Sequence, residues 1–414
     1  MIEHNFKNGK ISKCQICNSG KLINIITLGD QPLANSLLEK NEKVKNTYPI
    51  NVVRCEQCTL IQIDHIVNQS EVYHLDYPYL PGITKTVDEE QKQFSNFLVD
   101  KLSLTANDLA VDFGSNDGSL LKHLKSKNIK VVGVEPTNIA KIANKNGIVT
   151  YQNFFNEEVV DQIIKKHGKA KVITSTNVFA HMSTLGDVMN GIVKLIDEDG
   201  YYCFENHYAL EIIKNLQYDT FYHEHLRTYT LISLDKLFKY YNLNLVDAEI
   251  VSRYGGSIRC VVSKKKMDKS ENLKSLMDLE KKLLIDNVEN TFLNFTEKVK
   301  KSKKDLIDLL KKLKNQNKKV IAKSCPARAV VLLNYCGIDN KLINYVAEQP
   351  TSLKLNKIIP GTELEIVNDD ILLKDQPDYI LLLAWHLSQP IINKWRARGL
   401  NSKFIVPLPE VKII

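Results

Sequence analysis

Between about residue 85 and residue 265, short apolar runs typical of buried strands alternate with longer segments of helical spacing. The apolar runs predict strands at Leu109–Asp112, Lys130–Glu135, Ala170–Thr174, Gly200–Glu205, Leu243–Val251 and Ser257–Ser263. The longer segments predict helices at Asp88–Lys101, Ser119–Lys127, Ile139–Lys145, Glu157–His167 and Leu185–Ile196. This alternation indicates a parallel, doubly wound α/β sheet whose ligands bind at the carboxyl ends of its strands.

The last 150 residues contain two different patterns. Residues 266–317 are rich in Lys and Leu, with apolar positions at helical spacing, which predicts one or two amphipathic helices. Residues 318–414 alternate again and predict a second, smaller α/β domain. Its predicted elements are strands Lys319–Ala322, Leu342–Ala347, Leu364–Val367, Tyr379–Leu383 and Phe404–Pro407, with a helix at Arg328–Cys336.

Composition excludes several classes of protein. With 43% hydrophobic and 25% charged residues, the 414-residue chain has the profile of a soluble globular protein. No apolar run reaches the roughly 18 residues that a membrane helix needs, and the N-terminus lacks the apolar core of a secretory signal. We therefore expect a cytoplasmic protein without a membrane partner. The net charge of +8 comes from scattered lysines, so we expect no nucleic-acid partner and only a mild attraction for anionic substrates.

Four of the eight cysteines form two CxxC pairs, and the other four stand alone among apolar residues. The pairs are Cys14 with Cys17 and Cys55 with Cys58. Two such pairs can supply the four thiolates of a closed, structural Zn²⁺ site. An iron–sulfur site or free thiols are the weaker alternatives. We therefore predict four segments: a zinc domain at 1–80, the main α/β domain at 81–265, a helical connection at 266–317 and the C-terminal α/β domain at 318–414.

The motif VDFGSNDGSLL joins the first predicted strand to the next helix. Asp112, the second residue of the motif, ends the predicted strand. Gly114 and Gly118 allow the backbone to approach a ligand closely. Asn116 accepts a left-handed backbone more readily than most residues. Glu135 ends the second strand, 23 residues after Asp112, where an acidic side chain can hold a ribose diol. This order resembles the first two motifs of S-adenosylmethionine-dependent methyltransferases.

Three polar clusters lie where such an enzyme would bind its methyl acceptor. They are NVFAHM, which contains Asn177 and His181, the run YDTFYHEH, which ends at His225, and DYPY, which contains Tyr77 and Tyr79. In the second cluster, His223 and His225 would share one side of an extended chain and could form half of a metal site. Acid–base chemistry is the better interpretation, because histidine titrates near neutral pH and no further ligand stands nearby.

The order and spacing of the motifs resemble the C-methyltransferases that act on nucleotide-linked deoxysugars. The matching features are the CxxC pairs, DYPY, VDFGSNDGSLL, NVFAHM, YDTFYHEHLRTYTL, YGGSIR and LLNYCGI. The resemblance implies a class I Rossmann-like methyltransferase domain between a small zinc domain and a C-terminal Rossmann-like domain. It also implies a nucleotide-diphosphate keto-sugar, typically a dTDP-linked 4-keto-6-deoxysugar, as substrate. We expect a monomer or a small homo-oligomer.

The resemblance also implies roles for individual residues. His225 would remove the proton beside the ketone, while Tyr222, Glu224 and His181 would orient the sugar or support the enolate. S-adenosylmethionine would contact Asp112, Gly114, Asn116, Gly118, Glu135, Phe154, Phe155 and Asn177. The nucleotide sugar would contact Tyr77, Tyr79, His223 and Arg259.

The chain departs from the family at Leu80–Gly82 and at Ser324–Ala329, two turns that we expect to touch substrate. Two alternative functions therefore stay open. One is methylation of a sugar oxygen with the same cofactor. The other is a non-catalytic zinc-dependent scaffold or RNA-binding module.

Overall fold

The computed structural model describes residues 4–72 and 85–414. Tyr77, Tyr79 and the turn at Leu80–Gly82 lie outside these residues. Within the described ranges, no helix combines the length and the apolar content that crossing a membrane would require.

The N-terminal unit contains five strands. These are β1 (Gly9–Lys10), β2 (Leu22–Gln31), β3 (Tyr48–Cys55), β4 (Ile61–Ile63) and β5 (His65–Ile66), followed by the short helix α1 (Gln69–Val72). Strands β2, β3 and β4 form an antiparallel sheet, and β1 pairs with β5.

The central unit is built on one seven-stranded sheet. Its strands are β6 (Leu109–Phe113), β7 (Lys130–Val134), β8 (Thr150–Tyr151), β9 (Ala170–Thr176), β10 (Ile196–His207), β12 (Asn244–Val251) and β13 (Ser257–Ser263). Their order across the sheet is β12-β13-β10-β9-β6-β7-β8. A shorter strand, β11 (Arg227–Thr228), belongs to this part of the chain but joins the N-terminal sheet.

The prediction of a wholly parallel sheet is wrong at one strand. Strand β13 runs antiparallel to both neighbours, β10 and β12. Only residues 252–256 separate β12 from β13, whereas a parallel connection needs a dozen residues or more. The short link therefore forces a hairpin, and Tyr254, Gly255 and Gly256 all have positive φ values within it.

Helices cover both faces of the central sheet, as a doubly wound fold requires. They are α2 (Lys85–Leu102), α3 (Ser119–Lys125), α4 (Ala140–Lys145), α5 (Glu157–His167), α6 (Leu185–Leu195), α7 (Ala209–Lys214) and α8 (Leu231–Tyr240). Successive strand residues such as Ala110 and Val111 belong to different cores because side chains alternate between the faces. One core contains side chains of α2, α3 and α4, and the other contains those of α5, α6 and α8.

A long helical connection leads to the C-terminal unit. Helix α9 (Glu271–Lys281) passes through a π-helical turn at Lys282–Asp286 into α10 (Val288–Asn315), which confirms the predicted amphipathic helices. The last sheet has the order β16-β17-β15-β14-β18-β19-β20. Its strands are β14 (Val320–Lys323), β15 (Val346–Glu348), β16 (Ile358–Ile359), β17 (Leu364–Asn368), β18 (Tyr379–Leu382), β19 (Lys403–Val406) and β20 (Lys412–Ile413), with helices α11 (Arg328–Cys336), α12 (Ile371–Asp375) and α13 (Ser388–Ala397).

The five inner strands of this second sheet are parallel, and only the two edge strands β16 and β20 run antiparallel. The carboxyl ends of the parallel strands therefore lie along one edge, as in the central unit. Strands β16 and β20 were not predicted, because two-residue strands are too short to show an alternating pattern.

A buried carboxylate joins the helical connection to the central unit. Glu280 on α9 is fully buried, and its Oε1 accepts hydrogen bonds from the Tyr208 hydroxyl (2.8 Å) and the Leu231 N–H (2.6 Å). Its Oε2 accepts the N–H of Ile232 at 2.9 Å. The last two groups are donors at the start of α8, where no intrahelical acceptor exists and negative charge is favourable.

We expect Glu280→Ala to lower the free energy of unfolding by about 2–3 kcal/mol, because it leaves three buried donors without an acceptor. Urea unfolding followed by circular dichroism measures this. Glu271→Ala, at the solvent-exposed start of the same helix, should change the value by less than about 0.5 kcal/mol. Equal losses in the two variants would contradict a capping role for Glu280.

Candidate active site

A cavity of about 1150 Å³ lies at the carboxyl ends of the parallel strands of the central sheet and of the C-terminal sheet. Residues of the central unit line one end, residues of the C-terminal unit line the other, and Asn35 of the N-terminal unit also contributes. Both sheets thus present their ligand-binding edges to the same space, which is the position expected for binding sites in open α/β sheets.

The turn after β6 forms one end of this cavity. Gly114 (φ 66°) and Asn116 (φ 50°) both adopt left-handed backbone conformations there. A Cβ atom on Gly114 would lie 2.4 Å from Cγ2 of Val178, so only glycine fits. Gly118 (φ 78°) precedes the first turn of α3 and lies outside the cavity lining.

Glu135 fixes the shape of this turn. Its Oε2 accepts the N–H of Asn116 at 3.1 Å, and its Oε1 accepts the N–H and hydroxyl of Thr137 at 2.9 and 2.7 Å. The carboxylate therefore lies at the tip of the second strand, against the glycine-rich turn. That arrangement can hold the two hydroxyls of a ribose.

Two buried polar atoms at this end have no hydrogen-bond partner among the described residues. They are Nδ2 of Asn177 and Oγ of Ser115, and both residues line the cavity. Buried polar groups are normally paired, so these atoms indicate a polar ligand. A nucleoside with an amino-acid tail, such as S-adenosylmethionine, fits the acidic residue, the orphan atoms and the close backbone approach.

Two of the predicted cofactor residues have structural roles as well. Asp112 accepts the Thr174 hydroxyl at 2.7 Å and so links β6 to β9, and burial raises the pKa of its carboxyl to about 7. The ring of Phe155 is buried and stacks on Phe113 with centroids 4.6 Å apart. Phe154 is 48% exposed on the cavity wall and is therefore the ring available to cover an adenine.

Three histidine rings lie together in the middle of the cavity. The ring of His225 stacks on His207 at 4.3 Å and lies 4.9 Å from His181, while Tyr222 is 4.0 Å away on another side. All four residues line the cavity. His207 was not among the predicted site residues because the predicted strand ended at Glu205, whereas β10 continues to His207 at the carboxyl edge.

Backbone carbonyls select the tautomers of two of these histidines. Nδ1 of His225 lies 2.7 Å from the carbonyl oxygen of Thr220, so it carries the proton and Nε2 keeps the lone pair. Nε2 of His207 donates in the same way to the carbonyl of Arg227 at 3.1 Å. Each ring is thus held by a fixed acceptor, which leaves one nitrogen for chemistry.

Burial keeps the three histidines neutral. Burial, with a smaller contribution from neighbouring positive charge, lowers the pKa of His181 to about 3. Burial likewise lowers the pKa of His207 to about 4, although its hydrogen bond to the Arg227 carbonyl acts in the opposite direction. Burial lowers the pKa of His225 well below its ordinary value, with contributions from His207 and His181. Burial also raises the pKa of Tyr222 well above its usual range. At neutral pH the cluster therefore offers imidazole bases beside a phenol that keeps its proton.

Besides Gly118, three of the predicted site residues that the structure describes lie outside the cavity lining: His223, Glu224 and Arg259. Nε2 of His223 donates to the carbonyl of Tyr48 at 3.1 Å, and the described residues do not bring His223 and His225 together in the alternative metal site. Glu224 accepts a hydrogen bond from Nδ2 of Asn35 at 2.5 Å, and Asn35 lines the cavity.

Arg259 also lies away from the substrate space. Its guanidinium pairs with Glu205 (2.6 Å) and Glu249 (2.7 Å) and covers the rings of Phe94 and Phe97. With both carboxylates engaged, it is a structural residue of the sheet. Its role as a substrate contact stays a prediction that these contacts do not support.

The four cysteines of the CxxC pairs meet in the N-terminal unit. Their Sγ atoms all lie within 4.8 Å of one another, with 3.4 Å between Cys14 and Cys58 and 3.5 Å between Cys17 and Cys55. Four thiolates bound to zinc at about 2.3 Å would lie roughly 3.8 Å apart, so the cluster fits a tetrahedral site. Among the described residues, this is the one group of His, Cys, Asp and Glu side chains with metal-binding geometry.

Three family models match the chain in succession. A zinc binding domain matches residues 14–73, a methyltransferase domain matches 88–248, and a C-methyltransferase C-terminal domain matches 252–409. The fold, the cavity and these matches define an S-adenosylmethionine-dependent methyltransferase that also binds zinc.

A curated relative narrows the identification. The chain is 30% identical to the C-methyltransferase NovU of Streptomyces niveus over 410 residues, which cover 98% of this chain and 97% of that protein. The chain therefore belongs to the S-adenosylmethionine-dependent C-methyltransferases.

Solved structures with similarity to the chain are more distant. An S-adenosylmethionine-dependent methyltransferase from Clostridium acetobutylicum is 16% identical and covers 42% of this chain and 92% of its own, with a TM-score of 0.35. The 1,6-didemethyltoxoflavin-N1-methyltransferase of Burkholderia thailandensis is 14% identical and covers 51% and 96%, with a TM-score of 0.37.

We expect Gly114→Ala to weaken binding of S-adenosylhomocysteine by at least about tenfold, or 1.4 kcal/mol, because the new Cβ displaces Val178 at the cofactor turn. Isothermal titration calorimetry measures the change. Gly168→Ala is the matched control, since Gly168 also has a positive φ (89°) but has open space around it. Unchanged affinity in Gly114→Ala would separate this turn from the cofactor.

We expect the purified protein to contain zinc bound by the four cysteines, and Cys58→Ser to lose it together with thermal stability, because a ligand of a closed structural site is removed. Elemental analysis and thermal unfolding measure both. Cys203→Ser changes a buried cysteine outside the cluster and should retain the zinc. A chain that holds iron, or no metal, would contradict the zinc assignment.

Proposed function

We propose that this enzyme methylates the carbon beside the ketone of a nucleotide-linked keto-deoxysugar, with His225 as the general base. The observation that carries the proposal is the neutral imidazole of His225, whose Nδ1–H is held by the Thr220 carbonyl inside the cofactor cavity. Its remaining nitrogen, Nε2, has the lone pair that proton abstraction requires.

Formation of an enolate explains the surroundings of this base. A C–H bond beside a carbonyl is weakly acidic, so a histidine can break it only if donors stabilise the enolate oxygen. The phenol of Tyr222 keeps its proton and lies beside His225, which makes it the leading donor for that oxygen. His181 is neutral and lies on another side, where it can orient the sugar.

The groups around the glycine-rich turn would hold the cofactor. Glu135 would bind its ribose, Asn177 and Ser115 would satisfy their orphan atoms on it, and Phe154 would cover the adenine. When bound, S-adenosylmethionine would supply an electrophilic methyl group for the enolate carbon, with its sulfur becoming a neutral thioether. Nε2 of His225 would hold the abstracted proton, which would then pass to solvent. The protein accelerates the step mainly by holding both reactants in line.

The end of the cavity formed by the C-terminal unit, opposite the cofactor turn, favours a nucleotide-linked substrate. Lys354 and Lys394 line it together with Trp395, while Lys323, which also lines it, is paired with buried Asp369 at 2.9 Å. Cations beside an aromatic ring suit a diphosphate joined to a planar base. Glu348 ends β15 and accepts the N–H of Cys325 at 2.7 Å, much as Glu135 accepts the N–H of Asn116 at the cofactor end. At both ends, therefore, an acidic side chain at a strand end accepts a backbone N–H of the turn that lines the cavity. We propose that each such arrangement binds a nucleoside. Tyr77 and Tyr79 stay proposed substrate residues.

We expect wild-type enzyme with S-adenosylhomocysteine in D₂O to exchange the hydrogen beside the ketone of a dTDP-4-keto-6-deoxyhexose. His225→Ala should slow this exchange by about 10²–10⁴-fold, because the general base is lost. Proton NMR measures the exchange and identifies the carbon. His223→Ala should exchange normally, because His223 lies outside the cavity lining. Both variants should still bind S-adenosylhomocysteine.

Two results would overturn parts of the proposal. Normal exchange in His225→Ala would remove His225 as the base. Methylation of a sugar hydroxyl without any exchange at carbon would show that the acceptor is oxygen.

A further inference from the structure

A buried ion pair crosses from the C-terminal unit to the loop that carries the histidine base. Arg328 begins α11, and Asp219 lies in the 3₁₀ turn Tyr218–Thr220 of the central unit. The guanidinium binds the carboxylate with two parallel hydrogen bonds, Nε to Oδ2 at 2.9 Å and Nη2 to Oδ1 at 2.6 Å. Asp219 is fully buried and Arg328 is 7% exposed.

A second residue of the C-terminal unit holds the same carboxylate. The indole N–H of Trp385 donates to Oδ2 of Asp219 at 2.8 Å, and its ring lies 4.8 Å from the guanidinium carbon of Arg328. The other guanidinium donors reach Gln217 Oε1 (3.2 Å) and the carbonyl of Tyr254 (3.3 Å), both in the central unit. Every hydrogen bond that Arg328 makes through its side chain therefore crosses between the units.

Stability alone is a weak explanation for this arrangement. Taking both charges out of water carries a large desolvation penalty, and well-packed apolar residues often stabilise a core equally well or better. A planar, bidentate pair does provide what apolar packing lacks, which is a fixed position and orientation for the carboxylate. The position of Asp219 is therefore the property to explain.

Asp219 is separated from the base by one residue and one hydrogen bond. The next residue, Thr220, supplies the carbonyl that accepts the Nδ1–H of His225 at 2.7 Å. The same turn closes with the N–H of Phe221 on the carbonyl of Tyr218 at 3.2 Å. A shift of Asp219 would therefore rotate the Thr220 peptide and release Nδ1 of His225.

We propose that Arg328 is a positioning residue for catalysis: through Asp219 it fixes the Thr220 carbonyl, and thereby the tautomer and orientation of His225. The inference rests on the proposed role of His225 as the base. In consequence, the C-terminal α/β unit orients the catalytic base of the central unit and also encloses part of the cavity.

The direct test is the ring tautomer of His225, read by long-range ¹H–¹⁵N NMR on protein labelled at histidine. The His225 signals are assigned by their absence from His225→Gln. Wild type should show the neutral ring protonated at Nδ1. Asp219→Asn and Arg328→Lys should shift it towards a mixture with the Nε2-protonated form, which cannot act as a base at that nitrogen.

Kinetics on the methyl acceptor provides the second measurement. Asp219→Asn should lower kcat by about 10²-fold, the loss expected when a catalytic group moves by about 1 Å, with little change in KM. Affinity for S-adenosylhomocysteine should be unchanged, because the pair lies away from the cofactor turn. Trp385→Phe removes only one donor to Asp219, so it should fold normally and show a smaller shift in the same direction.

Asp375→Asn is the matched control, since Asp375 pairs with Lys319 in the same unit but lies outside the cavity lining. It should leave the tautomer and kcat unchanged. A wild-type tautomer in Asp219→Asn, Arg328→Lys and Trp385→Phe alike would overturn the inference. A raised KM with unchanged kcat in Arg328→Lys would also overturn it and make Arg328 a substrate contact. The tautomer measurement needs no substrate, so it stands even if the proposed keto-sugar is wrong.

Discussion

The half-buried imidazole of His225 lies deep in the protein against the rings of His207, His181 and Tyr222, where little bulk water surrounds it. Most of the features around the cavity follow from this desolvation. Burial keeps the ring neutral at physiological pH, so its lone pair is available. A desolvated ring must also satisfy its N–H, and the Thr220 carbonyl does so at 2.7 Å. Desolvation and tautomer selection are therefore two results of the same packing.

Three parts of the chain hold the loop that carries this ring. At its end, β11 joins the N-terminal sheet, with Arg227 opposite Gln62 and Thr228 opposite Ile61. At its start, Asp219 is held by Arg328 and Trp385 of the C-terminal unit. The loop itself extends from the central sheet. The four-cysteine site, which lies outside the cavity lining, is thus in the same N-terminal unit as the strand that pairs with the end of this loop.

The sequence predicts those parts of the fold and site that depend on contacts between residues close together in the chain. The strand, turn and acidic residue from Asp112 to Glu135 lie within one βα unit, so the sequence predicts the cofactor turn well. The cysteine pairs are short motifs, and their clustering follows from zinc geometry. Arg259 and His223 could not be placed from sequence, because their partners, Glu205 and the Tyr48 carbonyl, are 54 and 175 residues away. Position along the chain gives no information about such pairings.

The pairing of β11 with β4 also means that the N-terminal sheet includes a strand from the central part of the chain. The segments predicted along the sequence are therefore not separate folding units. Cys14, Cys55 and Cys58 share a hydrophobic core with the central unit, whereas Ile26 and Ile50 of the same N-terminal unit share one with the C-terminal unit. If the chain were divided near residue 80, the N-terminal part would expose two apolar faces and an unpaired strand edge. Residues 4–72 thus pack between the two α/β units and share a hydrophobic core with each of them. Exchange of this segment between relatives would require compensating changes in both α/β units.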